Sequence, residues 1–412
     1  MSNTIVFKGL ALFAFSLFFV FDNIRIDLVM TKIDPDERFP FHRFYVAISY
    51  FLFLINMRVT INECLKNKAL LVLLLYILVS MFWSSVPFGS FKSFFSQLTV
   101  MLVAIMVGLA YYEQRVVILR TLFLWFLLFV VASIAIAWFY PEVGVNTISF
   151  GKPRWIGVSD HPNELGATAL VLIWLGMNYY YIGSSKKLVF LSVAMGYYVI
   201  IMADSLTSLV SSFAVMLYVI YSYKMANMNF IFKAFLFLLA FFIFVAIIGL
   251  YKSFPDLIGS WLEAGGRNAT LSGRTKLWHK AIISLRGHWM FGYGFDNLKQ
   301  VTERQYKQMY QMSHLHNGYL EVLLKGGVVG CLLLLIVVVK TMIYQFKIRK
   351  KHRSDYILLS SGLLMIFIHN FTQSSLLKGS ITLSILFFYI CILSSMIYHR
   401  DQYENMDLYP GI

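Results

Sequence analysis

The residues with the most chemistry to offer stand in one run, Ser313-His314-Leu315-His316-Asn317-Gly318-Tyr319-Leu320-Glu321, followed by Gly326-Gly327-Val328-Val329-Gly330. A histidine beside several cations at neutral pH stays uncharged, because neighbouring like charge disfavours the imidazolium, and a neutral imidazole accepts a proton. His316 is therefore a candidate general base, with His314 in reserve and Asn317 beside them to hydrogen-bond a substrate. The plainer alternative is a pair of hydrogen-bonded interfacial histidines. Gly326, Gly327 and Gly330, at helical spacing, read as a surface for close helix packing that fixes where His316 emerges.

A second constellation is Gly151-Lys152-Pro153-Arg154-Trp155-Ile156-Gly157, then Asp160-His161-Pro162-Asn163-Glu164-Leu165-Gly166. Pro162 restricts His161 to extended geometry and Asn163 suits a helix N-cap, so a helix beginning there aims free backbone N–H groups outward. An arginine fork at Arg154 beside that terminus suits a bidentate grip on phosphate oxygens. The alternative leaves Arg154 anchoring a lipid headgroup and the rest as a turn. Asp204-Ser205-Leu206-Thr207-Ser208, His369-Asn370 and Lys92 could line the same cavity, although an outer turn capped by Asp204 explains the first equally well. There is no glycine-rich phosphate loop, His-Glu-x-x-His zinc motif or Gly-x-Ser-x-Gly elbow. Cys64, Cys331 and Cys391 are scattered without metal-ligand spacing, so neither a zinc site nor a disulfide framework is readable.

What must hold these residues is a scaffold of membrane helices. Of 412 residues, 59% are hydrophobic and only 13% charged, and the mean hydropathy is +0.71. A soluble domain carries about 25% charged residues, so this chain has too little polar surface to coat a globule. Soluble, fibrous, disordered and disulfide-rich secreted classes are excluded. A helix crossing the hydrocarbon core needs roughly 20 mostly apolar residues. Apolar stretches at 5–21, 44–57, 69–83, 94–112, 116–140, 165–182, 188–203, 206–223, 230–250, 328–346, 356–371 and 381–398 predict about twelve such spans in one integral membrane domain over residues 1–412. An even number puts both termini on one side, and the short even-numbered connections, with Arg120 and Lys233 just inside the spans beside them, carry fourteen lysines and arginines against eight on the odd-numbered ones, which predicts cytoplasmic termini. The first span lacks a small-residue cleavage site and reads as a retained anchor. The net charge of +15 points to an anionic partner, either lipid headgroups or a phosphorylated substrate.

One connection breaks the pattern. Residues 251–317 leave the bilayer on the outer face between spans 9 and 10, with an excess of cations and with Trp261, Trp278, Trp289, Phe291, Tyr293 and Phe295, which argue for an ordered, functional loop. Within it, Arg274 to Arg286 reads as a short amphipathic helix. Trp278, Ala281 and Leu285 share one face with Ile282 at its edge, and Arg274 falls on that face, so it is expected to point at the membrane domain, whereas Lys276, His279, Lys280 and Arg286 lie elsewhere.

Three segments resemble the bacterial O-antigen polymerase and ligase family of polytopic glycosyltransferases: Gly273-Arg274-Thr275-Lys276-Leu277-Trp278, then Phe291-Gly292-Tyr293-Gly294, then His316-Asn317 with nine residues before Gly327-Val328-Val329-Gly330. The last spacing matches the ligase form of the motif, which polymerases carry too. The resemblance implies an all-α, GT-C-like membrane protein with about twelve transmembrane helices and one large, partly helical periplasmic loop, placed in the bacterial inner membrane. It implies transfer of an undecaprenyl-diphosphate-linked oligosaccharide to a sugar hydroxyl at the periplasmic face, without nucleotide, cofactor or metal.

Within that chemistry, fixed positive charge belongs where the diphosphate leaves, which makes Arg154 and Arg274 catalytic candidates beside His316 as base. His314, Asn317, Lys276, His161, Asn163 and Trp278 are the substrate-binding candidates. Direct displacement by an activated hydroxyl inverts the anomeric centre. Polymerase and ligase differ in acceptor, a second lipid-linked repeat or the lipid A core, and the aromatic loop favours the polymerase. A lipid-linked glycan flippase is a rival from another class, although the two similar halves common in transporters are not seen; a non-catalytic chain-length regulator is a third. The partners expected are the lipid-linked oligosaccharide, membrane lipids, and a chain-length regulator or other polysaccharide-assembly proteins, with no nucleic acid.

Overall fold

A computed structural model describes residues 40–84, 86–147, 153–182, 186–224, 274–295, 315–378 and 382–407. The stretches predicted at 5–21 and 230–250, residue His314 and most of the outer loop lie outside the described residues. The described part is helical apart from a short antiparallel pair. In order come α1 (Pro40–Ile55), α2 (Met57–Lys66), α3 (Lys68–Val79), α4 (Pro87–Phe139), α5 (Pro141–Gly144), β1 (Val145–Asn146), β2 (Arg154–Trp155), α6 (Pro162–Ile182) and α7 (Lys186–Met202). Then follow α8 (Leu206–Lys224), α9 (Arg274–Ser284), α10 (Gly318–Ile348), α11 (Arg353–Asn370) and α12 (Thr382–Asp407).

Apolar runs become helices here because hydrocarbon offers no partner for a backbone N–H or C=O, so each must be bonded within its own segment. Pro87–Tyr112, Gln114–Phe139, Pro162–Ile182, Leu206–Lys224, Gly318–Ile348 and Thr382–Gln402 are long and apolar enough to cross a membrane. The bent pair α2 and α3, meeting at 96°, would add one broken span. The all-α polytopic architecture is thus the one expected, while α1, α7 and α11, predicted as spans, are not among the described helices long and apolar enough to cross a membrane. The two stretches of α4 are parted by a break at Gln114, whose φ of −133° and ψ of 42° leave the helical region.

Trp174, Tyr111, Tyr389, Phe123, Phe387 and Phe388 fill the middle of the bundle. α12 is its central helix, buried along most of its apolar length and packed on α4, α10 and α11. Outward-facing Leu332, Leu335, Val339, Met342, Ile343 and Phe346 give α10 an exposed apolar face of the kind that suits lipid rather than water.

The described part of the loop predicted at 251–317 forms a small core of its own on the start of α10. Leu277, Ala281, Leu285, Tyr293, Leu315 and Leu324 are buried together, with Trp278 packed against them. The predicted face of α9 is the one that turns inward, and Ile282 at its edge stays exposed.

Main-chain bonds seat the loop on α10, and Trp83 Nε1 adds a side-chain donor to Phe291 O at 3.1 Å. Tyr293 and Gly294 donate to the carbonyls of Leu324 and Lys325 at 3.0 and 2.9 Å, and Val328 and Val329 donate to Trp289 and Met290 at 2.8 and 3.1 Å. For this, α10 must break open at Gly327, whose φ is +60° and ψ −164°. A Cβ there would meet the Met290 carbonyl oxygen at 2.3 Å. The reading of the three glycines as one packing stripe is therefore corrected. Gly326 and Gly330 do lie against Phe295 and Tyr76, but Gly327 is needed for its left-handed backbone, which frees the carbonyls and N–H groups that bind the loop.

Candidate active site

α6, α8 and α10 begin and α11 ends at one end of the bundle, and the connections there are tied together. Their hub is the turn after α11. Asn370, fully buried, accepts the backbone N–H groups of Ser375 and Leu376 at 2.9 and 3.1 Å, and its amide donates to Ile366 O and Ser375 Oγ at 2.8 and 2.9 Å. A four-way hydrogen-bonded side chain fixes residues 371–376 as a rigid platform.

His316 stands on that platform. Asn317 N donates to Ser374 Oγ at 2.9 Å, Asn317 Nδ2 to Phe371 O at 3.2 Å, and Gly318 N to Gln373 O at 3.0 Å. Asn317 Oδ1 accepts Leu320 N at 3.0 Å and so caps α10. On the other flank, Trp278 Nε1 donates to Leu315 O at 2.8 Å and Leu315 N donates to Glu321 Oε1 at 2.9 Å. Between these anchors the half-buried His316 adopts φ +52°, a left-handed conformation that costs an L-residue about 1 kcal/mol and persists only where its surroundings over-determine it.

Arg274, the first residue of α9, reaches the same platform, its Nη1 donating to Thr372 O at 2.7 Å. The arginine does point into the membrane domain, as its place on the Trp278 face predicts. Arg154 on β2 grips the tight turn between α7 and α8. Its Nε and Nη2 donate to Ala203 O at 3.0 and 2.8 Å, and Nη2 also to Asp204 O at 3.0 Å and Asn163 Oδ1 at 3.1 Å. The two arginine-bearing turns are joined by a hydrogen bond between the hydroxyls of Thr207 and Thr372. His316, Arg274 and Arg154 thus belong to one connected polar framework at one end of the bundle.

Several expectations are corrected by this geometry. Asn163 is not the N-cap of α6. Pro162 is the first helical residue, and the cap is His161, whose Nδ1 accepts the backbone N–H of Asn163 at 3.1 Å, leaving the Asn163 side chain for Arg154. Asp204 adopts a left-handed φ of +47° and offers its carbonyl oxygen to Arg154. Lys92 is exposed, its ammonium 4.8 Å from the centre of the Phe88 ring. His369 is buried inside α11, with neither ring nitrogen bonded to any described residue. The side chain of Lys276, like His314, lies outside the described residues.

Two lysines beside the site have no place in the sequence reading. The carboxylate of Glu321, 1% exposed, lies 3.1 Å from Lys378 Nζ and 3.6 Å from Lys325 Nζ. Burial holds the Lys378 ammonium below the usual lysine range, while the charge of Glu321 draws it back up. Both ammonium groups share the Glu321 carboxylate, and Glu164 adds a second negative charge felt at Lys378, so the cluster holds two lysines against two carboxylates in a poorly solvated setting near His316. The Glu321–Lys325 spacing of four residues was the signal available in the sequence; nothing local announces Lys378.

Residues 188–335 match the family model described as O-antigen ligase. The chain is also 30% identical over 112 residues to the exopolysaccharide production protein ExoQ of Rhizobium meliloti, covering 25% of this chain and 25% of that protein. These matches support an O-antigen polymerase and ligase-like family. An uncharacterised protein of Haemophilus influenzae is 32% identical over 111 residues, 26% of this chain and 28% of its own length. The chain therefore spans about a quarter of the length of either relative it matches. The stretch matched to the O-antigen ligase model runs from the start of α7 into α10, and so includes Arg274, His316 and the Gly327 break.

Proposed function

We propose that the protein is a surface-polysaccharide polymerase of the bacterial inner membrane, which transfers an undecaprenyl-diphosphate-linked glycan to a hydroxyl of a second lipid-linked repeat unit. The observation that carries the reading is the shared platform: Arg274 bonds Thr372 while the residue after His316 bonds Phe371 and Ser374. Base and cation are thereby set by one rigid turn. The positive-inside bias supports cytoplasmic termini and a periplasmic site.

In this reading the acceptor oxygen attacks the anomeric carbon and its proton passes to the His316 imidazole. The bond from that carbon to the diphosphate oxygen breaks, and undecaprenyl diphosphate leaves with the electron pair. Arg274 and Arg154 stabilise the negative charge that develops on it, which needs no proton transfer because a guanidinium stays charged. One displacement inverts the anomeric centre. Trp278 and Asn317 hold the loop and the helix start around the sugar.

A ligase passing the glycan to the lipid A core is the second reading, favoured by the description of the matched family model. The production of exopolysaccharide in the name of ExoQ favours a polymer product instead. Proteoliposomes holding the purified chain and only lipid-linked repeat units decide between them. Elongated chains support the polymerase, product that requires a core acceptor supports the ligase, and movement between leaflets without a new glycosidic bond supports a transporter.

A further inference from the structure

At the end of the bundle opposite His316, between the last turn of α10 and the first of α11, a cleft of about 370 Å3 opens beside the break at Gln114. Its charges are unevenly matched. Arg115 is held by Asp355, with Nε 2.9 Å from Oδ1, and by Ser354, to whose Oγ its Nη2 donates at 2.6 Å; Asp355 also accepts the Tyr111 hydroxyl at 2.8 Å. Lys351 and His352 share Asp401 at 2.9 Å each. Arg353 donates from Nη2 to the carbonyls of Ser222 and Tyr223 at 2.8 and 3.2 Å, closing the last turn of α8. Among the described residues no carboxylate pairs with Arg353.

The residue that Arg353 grips, Tyr223, also lines the cleft and carries a donor in the same condition. The Tyr223 hydroxyl, shut off from solvent, has no hydrogen-bond partner among the described residues, while its ring stacks on Tyr181 with centroids 4.1 Å apart. A guanidinium without a counter-ion and a hydroxyl without an acceptor ask for the same ligand atom, an anionic oxygen. The flanks of the cleft are apolar and outward-facing: Val116 and Val117 directly follow Arg115, and Leu217 and Tyr221 precede Tyr223 on α8. Free phosphate would meet the first demand but leave the apolar flank unused.

We propose that this cleft binds the phosphodiester headgroup of an anionic phospholipid, with its acyl chains lying along the flank beside Val117 and Leu217. Basic pockets between membrane helices take such headgroups, each lysine or arginine near the surface strengthening binding about fivefold.

The test uses the full chain in neutral detergent, measuring retained lipid by native mass spectrometry and the unfolding midpoint with phosphatidylglycerol, phosphatidylcholine or inorganic phosphate added at equal concentration. Phosphatidylglycerol is expected to bind and raise the midpoint, and the other two to leave it unchanged. Arg353→Gln keeps a donor for the α8 carbonyls but removes the charge, and is expected to weaken phosphatidylglycerol binding about fivefold. Tyr223→Phe keeps the ring stack and is expected to weaken it several-fold, which preserves the test should Arg353→Gln fail to fold. Equal binding of both phospholipids, undiminished binding by a folded variant of either kind, or full stabilisation by inorganic phosphate would each overturn the assignment.

Discussion

Glu321 accepts the backbone N–H of Leu315 at 2.9 Å, so a carboxylate buried in the first turn of α10 is bonded to the residue immediately before His316. Its charge is balanced by Lys378 and Lys325. Removing one partner of a buried ion pair leaves the others uncompensated, at a cost of about 3 kcal/mol. Glu321→Ala is therefore expected to lower the unfolding midpoint strongly, and Glu321→Gln, which still accepts from Leu315, to lower it less. The two substitutions would have to be equally damaging for the Leu315 bond to be irrelevant.

The left-handed backbone of His316 allows its conformation to be separated from its chemistry. Glycine adopts φ near +52° without strain, so His316→Gly is expected to retain or slightly gain stability, by about 1 kcal/mol, while polymer formation is almost entirely lost. His316→Ala should be as inactive at unchanged membrane abundance. Polymer of normal yield from either variant removes the imidazole from the reaction.

Arg274→Lys retains charge but cannot reproduce a fork that bonds Thr372 and still presents nitrogens to phosphate. The expectation is turnover reduced more than tenfold, with the fold intact because α9 keeps its own buried face. Arg154→Lys should cost stability as well, since a single ammonium cannot replace four bonds to Ala203, Asp204 and Asn163. Parallel measurement of thermal midpoint and turnover distinguishes the two arginines.

Glycines with positive φ divide by what surrounds them. At Gly287, φ +84°, nothing lies within 4 Å of an added Cβ, so Gly287→Ala should cost only the backbone strain, about 1 kcal/mol. At Gly327 the same atom would be 2.3 Å from the Met290 carbonyl oxygen, and Gly327→Ala is expected to exceed it by about 3 kcal/mol and to release the loop. Protease susceptibility of the segment around Trp289 reports the difference.

Local chemistry made part of this legible from the residues alone. Hydrophobic runs foretold the helices because the bilayer forces apolar sequence into internally bonded segments, and the 100° periodicity of 274–286 foretold which side of α9 is buried and that Arg274 shares it. Asn163 was misjudged because capping depends on which residue Pro162 makes first in the helix, a choice settled by the imidazole of His161. The role of Lys378, 57 residues beyond Glu321, is set by how α11 and α12 are folded back on α10. So is the platform after Asn370, since no periodicity within one segment records what a distant turn will accept.

The fastening between residues 289–294 and the break in α10 involves main-chain groups on both sides. Such a joint does not read side-chain identity. A relative's segment that keeps the glycines meeting there, at positions 292 and 327, is expected to seat itself on this bundle when transplanted. Under the proposed function, acceptor choice can then diversify between species while the platform around His316 stays untouched.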